Sequence, residues 1–403
     1  MLKVIPSAQL RVGMFLHKLQ GNWVDHPFWR SSFLIADKKP IKAIIDSGIV
    51  EVIIDTAKGK DIEATPPPSQ AKTAKTPAQS QGADKDNKPA SVSMEAEWQR
   101  AQSICLEAKD AVASMFREVR MGNSIQLDEV KSLVADISGS VTRNPETLIS
   151  IARLKSADDY TYLHSVAVSA MMIALAKQLG LSQAVTEQAA LGGLLHDVGK
   201  ALMPMEVLNK AGKLTDDEYA IIKTHPAQGY KLLLAGGAVN PESLDVVLHH
   251  HEKFDGTGYP DQLAGEEISL LARMGAVCDV YDAITSNRPY KSGWEPSLSI
   301  KRMSAWEGHF DPVVLKAFIK TLGIYPAGSL VKLASGKLGV VLEQNQVSLL
   351  KPRLKVFLST KPKGPIAIEE LDLSSARCQE FIVSLEDPAQ WGFKKLDELW
   401  MPI

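Results

Sequence analysis

Residues 248–260 read LHHHEKFDGTGYP, three consecutive histidines followed by a turn-forming run with two glycines. The preceding NPESLDVVL places Asn240 as a helix cap and Pro241 at the first helical position, so the triplet sits at the end of a helix. Successive helical side chains turn by about 100°, so His249 and His251 point about 200° apart and the triplet cannot act as one unit. Six of the nine histidines fall between residues 164 and 251, in DYTYLHS (His164), GGLLHDVGK (His196, beside Asp197), IIKTHP (His225) and the triplet itself. Asp279 follows in GAVCDVYDA. Helix start and stop signals accompany these motifs: Gly180, Ser182, a capping box of Thr215 and Glu218, and the pair Asp311 and Pro312. The pattern predicts an all-α region over residues 125–325. Imidazoles and carboxylates without thiolates are the ligand set of iron, manganese, nickel or zinc, and helical bundles build such sites from facing helices. A carboxylate has two oxygens, so Asp197 can bridge two ions while its neighbour His196 serves one.

Outside this region the chain changes character. Residues 1–58 carry short strand-like runs (KVIPSAQLRVGMFLHKL, SSFLIA, IVEVIID) around one short helical segment, KPIKAIIDSG, and predict a small α+β domain. Residues 59–93, rich in Pro, Ala, Lys, Gln and Ser, are too poor in large apolar groups to repay their ordering entropy and read as a flexible linker. Residues 94–124 hold apolar groups at three- and four-residue steps and form a connecting helix. Beyond Tyr325, runs such as GSLVKLASGKLGVVLEQ and LKVFLST predict a β-rich appendage over 326–403. The expected fold class is thus multi-domain, an all-α helical core with a small α+β N-terminal domain and a β-rich C-terminal appendage.

Composition excludes several classes of function. A net charge of −2 with 45% apolar and 23% charged residues gives no global field to attract DNA or an anionic membrane. Three scattered cysteines, Cys105, Cys278 and Cys378, suggest neither a disulfide framework nor a thiolate metal site and fit a reducing cytoplasm. The N-terminus lacks the continuous apolar run of a signal peptide, and no stretch is apolar enough for a membrane span.

The ordered motifs DYTYLHS, HDVGK, THP, HHEKFDGTGYP and DVYDAITSNRPYK resemble the HD-GYP phosphodiesterases, a branch of the HD metallohydrolases that open the bacterial second messenger cyclic di-GMP. The resemblance covers about residues 125–325. In that family two histidines precede a Glu, a basic residue, a variable residue and DGxGYP, which assigns the pair to His250 and His251. His249 is then expected to face solvent or to bond to a neighbour. The resemblance implies one ion held by His164, His196, Asp197 and Asp279, and a second by Asp197, His225, His250 and His251. A third-ion glutamate of some members is replaced here by Tyr160, with Asp159 beside it, so two divalent ions are expected, iron or manganese first and nickel or zinc as further candidates. Lys200 is expected at the reacting phosphate, with Arg288 and Lys291 on the second phosphate or a guanine edge. The loop of Gly258, Tyr259 and Pro260 is expected to flank the site or to meet a diguanylate cyclase or another signalling protein. WVDHPFWRSSFLI resembles the domain of unknown function that often precedes HD-GYP modules, with His26, Phe28 and Trp29 expected as core residues.

The implied activity is hydrolysis of cyclic di-GMP to linear pGpG, and further to GMP less readily, by a hydroxide bridging two metals, with Asp197 and Lys200 as catalytic residues. Two rival readings are a non-hydrolysing cyclic di-GMP receptor, which would normally have lost ligands, and a di-iron oxygen- or redox-responsive HD protein, which would not need Lys200 or Arg288. A homodimer is a further expectation.

Overall fold

The structure, a computed structural model, describes residues 2–19, 33–35, 38–46, 51–60, 92–154, 160–210, 212–237, 239–286, 293–345, 348–393 and 396–401. His26, Phe28, Trp29, Asp159, Arg288 and Lys291, the Tyr160 side chain and most of the expected linker lie outside the described residues. The chain divides into two compact units, Met1–Asp86 and Asn87–Ile403.

In the first unit, strands β1 (Leu2–Pro6), β2 (Phe15–Leu19) and β3 (Phe33–Leu34), helix α1 (Lys38–Asp46) and strand β4 (Glu51–Asp55) form an antiparallel sheet of order β1-β4-β2-β3 with one helix. Alternation puts Val52 and Ile54 inward from β4, where they join Ile5, Leu10, Met14, Leu16, Ile35 and Ile44 in a small core.

The second unit opens with α2 (Met94–Arg120), capped by Ser93, whose Oγ accepts from the Ala96 N–H. Its buried face runs through Trp98, Ala101, Cys105, Ala108, Val112, Met115 and Val119 at helical steps. After α3 (Leu127–Arg143) and α4 (Pro145–Arg153) comes α5 (Tyr160–Gln178), in which every residue from His164 to Ala176 is buried. A helix apolar on all sides belongs in the middle of a body. Accordingly α2, α3, α4, α6 (Gln183–Leu195), α11 (Leu270–Thr285) and α13 (Pro312–Leu322) all pack against it. The remaining helices α7 (Met205–Leu208), α8 (Asp216–Ile222), α9 (His225–Gly236), α10 (Pro241–His249) and α12 (Pro296–Ala305) complete an all-α body.

Strands β5 (Leu330–Leu333), β6 (Lys337–Glu343), β7 (Arg353–Thr360), β8 (Lys363–Asp372) and β9 (Ile382–Leu385) follow as an antiparallel sheet of order β8-β7-β6-β5-β9, with short helices α14 (Pro388–Trp391) and α15 (Asp397–Trp400). Alternation gives the sheet two apolar faces. Leu330, Leu338 and Val340 meet Met94 and Trp98 of α2 and Trp400 of α15, while Val331, Val341, Leu354 and Val356 form a separate cluster with Leu373. The fold class is multi-domain, with an all-α core, a small α+β N-terminal domain and a β-rich C-terminal appendage. Among the described residues, no helix is long and apolar enough to cross a membrane.

A buried ion pair fastens α2 to the end of α3. The Glu97 carboxylate is fully buried and accepts from Arg143 Nη2 at 2.7 Å and Nε at 2.8 Å. Burial alone would raise the Glu97 pKa, but the Arg143 hydrogen bonds outweigh it and hold it below the usual range. Glu97→Ala strands the Arg143 guanidinium beside a cavity. The variant is expected to lose about 3 kcal/mol, the low end of the cost of breaking a buried pair, because the stranded Arg143 keeps 22% side-chain exposure to water. Urea denaturation read by helical circular dichroism checks this, and an unchanged midpoint would contradict it.

Candidate metal centre

The α-helix α6 ends at Leu195, and the chain then tightens into a 3₁₀ turn over Val198–Leu202, with Asp197 at φ −98°, ψ 4° between them. The neighbours His196 and Asp197 meet at this junction, with His196 Nε2 3.4 Å from Asp197 Oδ2. Gly199 makes this packing feasible. A Cβ there would lie 2.0 Å from the His225 carbonyl oxygen, so only glycine lets this turn press against the start of α9. His225 opens α9, His250 caps α10, His164 lies in the first turns of α5 and Asp279 on α11.

Four imidazoles share one arrangement. Nδ1 of His196 lies 2.8 Å from the Gly193 carbonyl, Nδ1 of His225 2.7 Å from that of Ile222, Nδ1 of His250 3.0 Å from that of Val247, and Nδ1 of His164 2.6 Å from Asp282 Oδ2. Carbonyls and carboxylates accept, so each Nδ1 carries the proton and each Nε2 presents a lone pair inward. These lone pairs converge. Nε2 of His164 and His196 are 3.2 Å apart, and Nε2 of His225 and His250 are 3.3 Å apart. Asp197 sits between the two pairs, Oδ2 lying 3.4 Å from His196 Nε2 and 3.6 Å from His164 Nε2, and Oδ1 lying 3.2 Å from His225 Nε2 and 3.9 Å from His250 Nε2. Its Oδ1 is buried and, among the described residues, receives no hydrogen bond. Asp279 Oδ1 is 3.0 Å from His164 Nε2, and its Oδ2 is 3.7 Å from His251 Nδ1.

The ligand atoms of Asp197, His225, His250 and His251 therefore form one group, and those of His164, His196 and Asp279 another, each within 4.8 Å. Converging lone pairs and an orphaned carboxylate oxygen in a buried pocket repel one another unless a cation lies among them, and the nitrogen and oxygen donors suit a divalent ion. The residues present fit a divalent metal centre.

Electrostatics agree. Burial tends to raise the Asp197 pKa, but the neighbouring imidazoles of His196 and His225 and the Lys200 ammonium outweigh it and hold it well below the usual carboxylate range. Burial also tends to raise that of Asp279, but the neighbouring imidazoles, His164 foremost, likewise hold it well below that range. Burial and the neighbouring imidazoles push His250 well below its ordinary value, and burial foremost pushes His251 down to about 3. Both are thus neutral, as ligands must be. Burial would also lower His164, but Asp279 and Asp282 outweigh it and raise its pKa. The Lys200 Nζ lies 2.5 Å from Asp197 Oδ2, with 26% of its side chain exposed at the rim. The adjacent Cys278 is buried, which raises its thiol pKa well above the ordinary value and keeps it protonated.

All seven residues expected as ligands come together, and Lys200 joins them. His249 does not. Its Nδ1 lies 2.6 Å from Asp245 Oδ1 and its Nε2 3.0 Å from Asp261 Oδ2, so both nitrogens serve carboxylates on the far side of the helix end. Burial opposes its protonation, but Asp245 and Asp261 outweigh it and raise its pKa. Gly258, Tyr259 and Pro260 flank the site, with the Tyr259 ring 4.7 Å from that of His251. Sequence reasoning missed Asp282, which orients His164; its spacing of three from Asp279 on one helix was the available signal.

Two family models match the chain, a domain of unknown function (DUF3391) over residues 2–130 and an HD domain over residues 140–314. Over 99% of its length the chain is 50% identical to a cyclic di-GMP phosphodiesterase of Pseudomonas aeruginosa, covering 96% of that protein. It is 39% identical, over 47% of its length and 50% of the relative's, to a cyclic di-GMP phosphodiesterase response regulator of Xanthomonas campestris pv. campestris. A 3′3′-cGAMP-specific phosphodiesterase of Vibrio cholerae is 34% identical over 43% of this chain and 42% of its own. With the HHEKFDGTGYP signature on its helical body and this likeness along nearly its whole length, the chain belongs to the HD-GYP family of cyclic di-GMP phosphodiesterases, in a form carrying an N-terminal DUF3391 domain.

Proposed function

We propose that this chain hydrolyses cyclic di-GMP to linear pGpG at a dinuclear centre, with Asp197 as the bridging ligand. The observation that carries the reading is the division of the Asp197 carboxylate, one oxygen facing His164 and His196 and the other facing His225 and His250. His164, His196, Asp197 and Asp279 would hold one ion, and Asp197, His225, His250 and His251 the other. The complete ligand set favours an enzyme over a receptor. Iron or manganese is the metal we favour, nitrogen and oxygen donors being suited to both. Two divalent ions held by these residues would supply Lewis-acid charge and a water of lowered pKa.

The chain's own residues set the conditions for that step. Nδ1 bonds to Gly193, Ile222, Val247 and Asp282 fix the tautomer and direction of four ligands before substrate arrives, so little reorganisation remains. Lys200 at the rim neutralises part of the Asp197 charge and adds a positive group where non-bridging phosphate oxygens gain charge. Arg288 and Lys291 are proposed to bind the second phosphate or a guanine edge. We place the enzyme in the cytoplasm, where cyclic di-GMP acts, with the GYP loop facing a diguanylate cyclase or another signalling partner and with a homodimer as its assembly.

Chromatography of products from metal-replete chain tests the reading. Cyclic di-GMP should disappear with stoichiometric pGpG, at a higher kcat/KM than 3′3′-cGAMP. Tight binding of cyclic di-GMP without cleavage under iron, manganese, nickel and zinc alike would sink it in favour of a receptor.

A further inference from the structure

His251 is the exception among the ligand histidines. Among the described residues, neither of its ring nitrogens is anchored on a carbonyl, whereas His164, His196, His225 and His250 each have Nδ1 tied down. It also keeps 22% side-chain exposure, while the other four are essentially buried. Its ring is confined by packing instead, with the His250 ring 4.1 Å away, the Tyr259 ring 4.7 Å away at 31° and the His225 ring 5.1 Å away. An imidazole without a hydrogen-bonded anchor is free to rotate about χ1 and χ2 unless its neighbours hold it.

Tyr259 is itself held. The buried Glu252 carboxylate accepts the backbone N–H groups of Asp261 at 2.7 Å and Gln262 at 3.0 Å, closing the loop onto the helix end. His249 fixes the same point from outside through Asp261, and the Tyr259 N–H donates to the His251 carbonyl at 3.2 Å. Gly258 permits the approach, since a Cβ there would lie 2.4 Å from Glu252 Cα and from Lys253 N. The HHHE run thus supplies two candidate ligands, His250 and His251, flanked by two loop fasteners, His249 and Glu252.

We infer that Tyr259 is a positioning residue for the second metal site, its ring acting in place of the missing Nδ1 anchor of His251, with Glu252 and His249 clamping the loop that carries it. The inference rests on the proposed ligand role of His251. It assigns the tyrosine's effect to its ring face and not to its hydroxyl, and it confines the effect to one of the two ions.

The test is Mn²⁺ binding to metal-stripped full-length chain, by equilibrium dialysis with ions counted per chain, for the parent, Tyr259→Phe and Tyr259→Leu. The parent should bind two ions. Tyr259→Phe keeps the stacked ring and should bind two with similar affinity. Tyr259→Leu should bind one ion as the parent does and the other ten- to a hundred-fold more weakly, the usual effect of removing a ligand's outer support. The retained first ion reports that the fold survives. Two parent-like ions in Tyr259→Leu, loss of both ions, or equal loss in the Phe variant would each overturn the inference. A parent that binds one ion or none would instead count against the dinuclear reading itself.

Discussion

Asp197→Ala is expected to retain the helical circular dichroism of the parent, to bind fewer than two divalent ions and to lose cyclic di-GMP hydrolysis by about 10³-fold or more. The size follows from geometry. This one carboxylate faces both imidazole pairs, so its removal takes away an oxygen beside each pair at once. Lewis-acid stabilisation of phosphoryl transfer is worth several kcal/mol, and each 1.4 kcal/mol is about tenfold in rate. Asp197→Asn separates charge from shape, because the amide keeps one acceptor but not the anion, and it is expected to fall nearly as far. Metal analysis beside single-turnover hydrolysis decides the matter. Two bound ions and near-parent turnover in Asp197→Ala would remove the bridge from the account.

Lys200→Ala is expected to lower kcat ten- to a hundred-fold with a smaller change in KM and two ions retained under metal-replete conditions. The ammonium lies 2.5 Å from Asp197 Oδ2 with 26% of its side chain exposed, where the proposed hydrolysis would build charge on the phosphate as phosphorus becomes five-coordinate. An interaction stronger in the transition state than in the ground state appears in kcat, whereas uniform binding appears in KM. A charged hydrogen bond of about 1.5–3 kcal/mol gives the stated range. Lys200→Arg, which keeps the charge but spreads it over a planar fork, should recover only part of the loss. Steady-state kinetics with cyclic di-GMP would contradict this role if KM alone rose.

The clustering of the histidines was legible in the sequence because six of nine fall within residues 164–251 near helix signals, and the resemblance to the HD-GYP pattern supplied the candidate ligand set and set His249 apart from the pair that follows it. The glycines of DGTGYP were also legible as backbone requirements. Gly256 has φ +79° and Gly258 sits where a Cβ would collide with the chain. What holds the ligands in place was not legible. Three of the Nδ1 anchors are backbone carbonyls, which every residue possesses and no sequence pattern distinguishes. The stack of Tyr259 on His251 and the clasp of Glu252 on Asp261 and Gln262 arise only when the loop folds back on the helix end. The same holds for α2. Its periodicity announced a long helix, but its packing against both the helical body and one face of the C-terminal sheet depends on tertiary contacts such as those of Trp98 with Trp400.

The central claim is that two ions lie on either side of Asp197. Anomalous-difference maps from crystals of the manganese-loaded chain, recorded on both sides of the manganese absorption edge, test it most directly. Two peaks per chain are predicted, one within ligand distance of His164, His196 and Asp279, the other of His225, His250 and His251, with Asp197 contacting both. A single peak, or a pair that leaves Asp197 bound to one ion only, would contradict it.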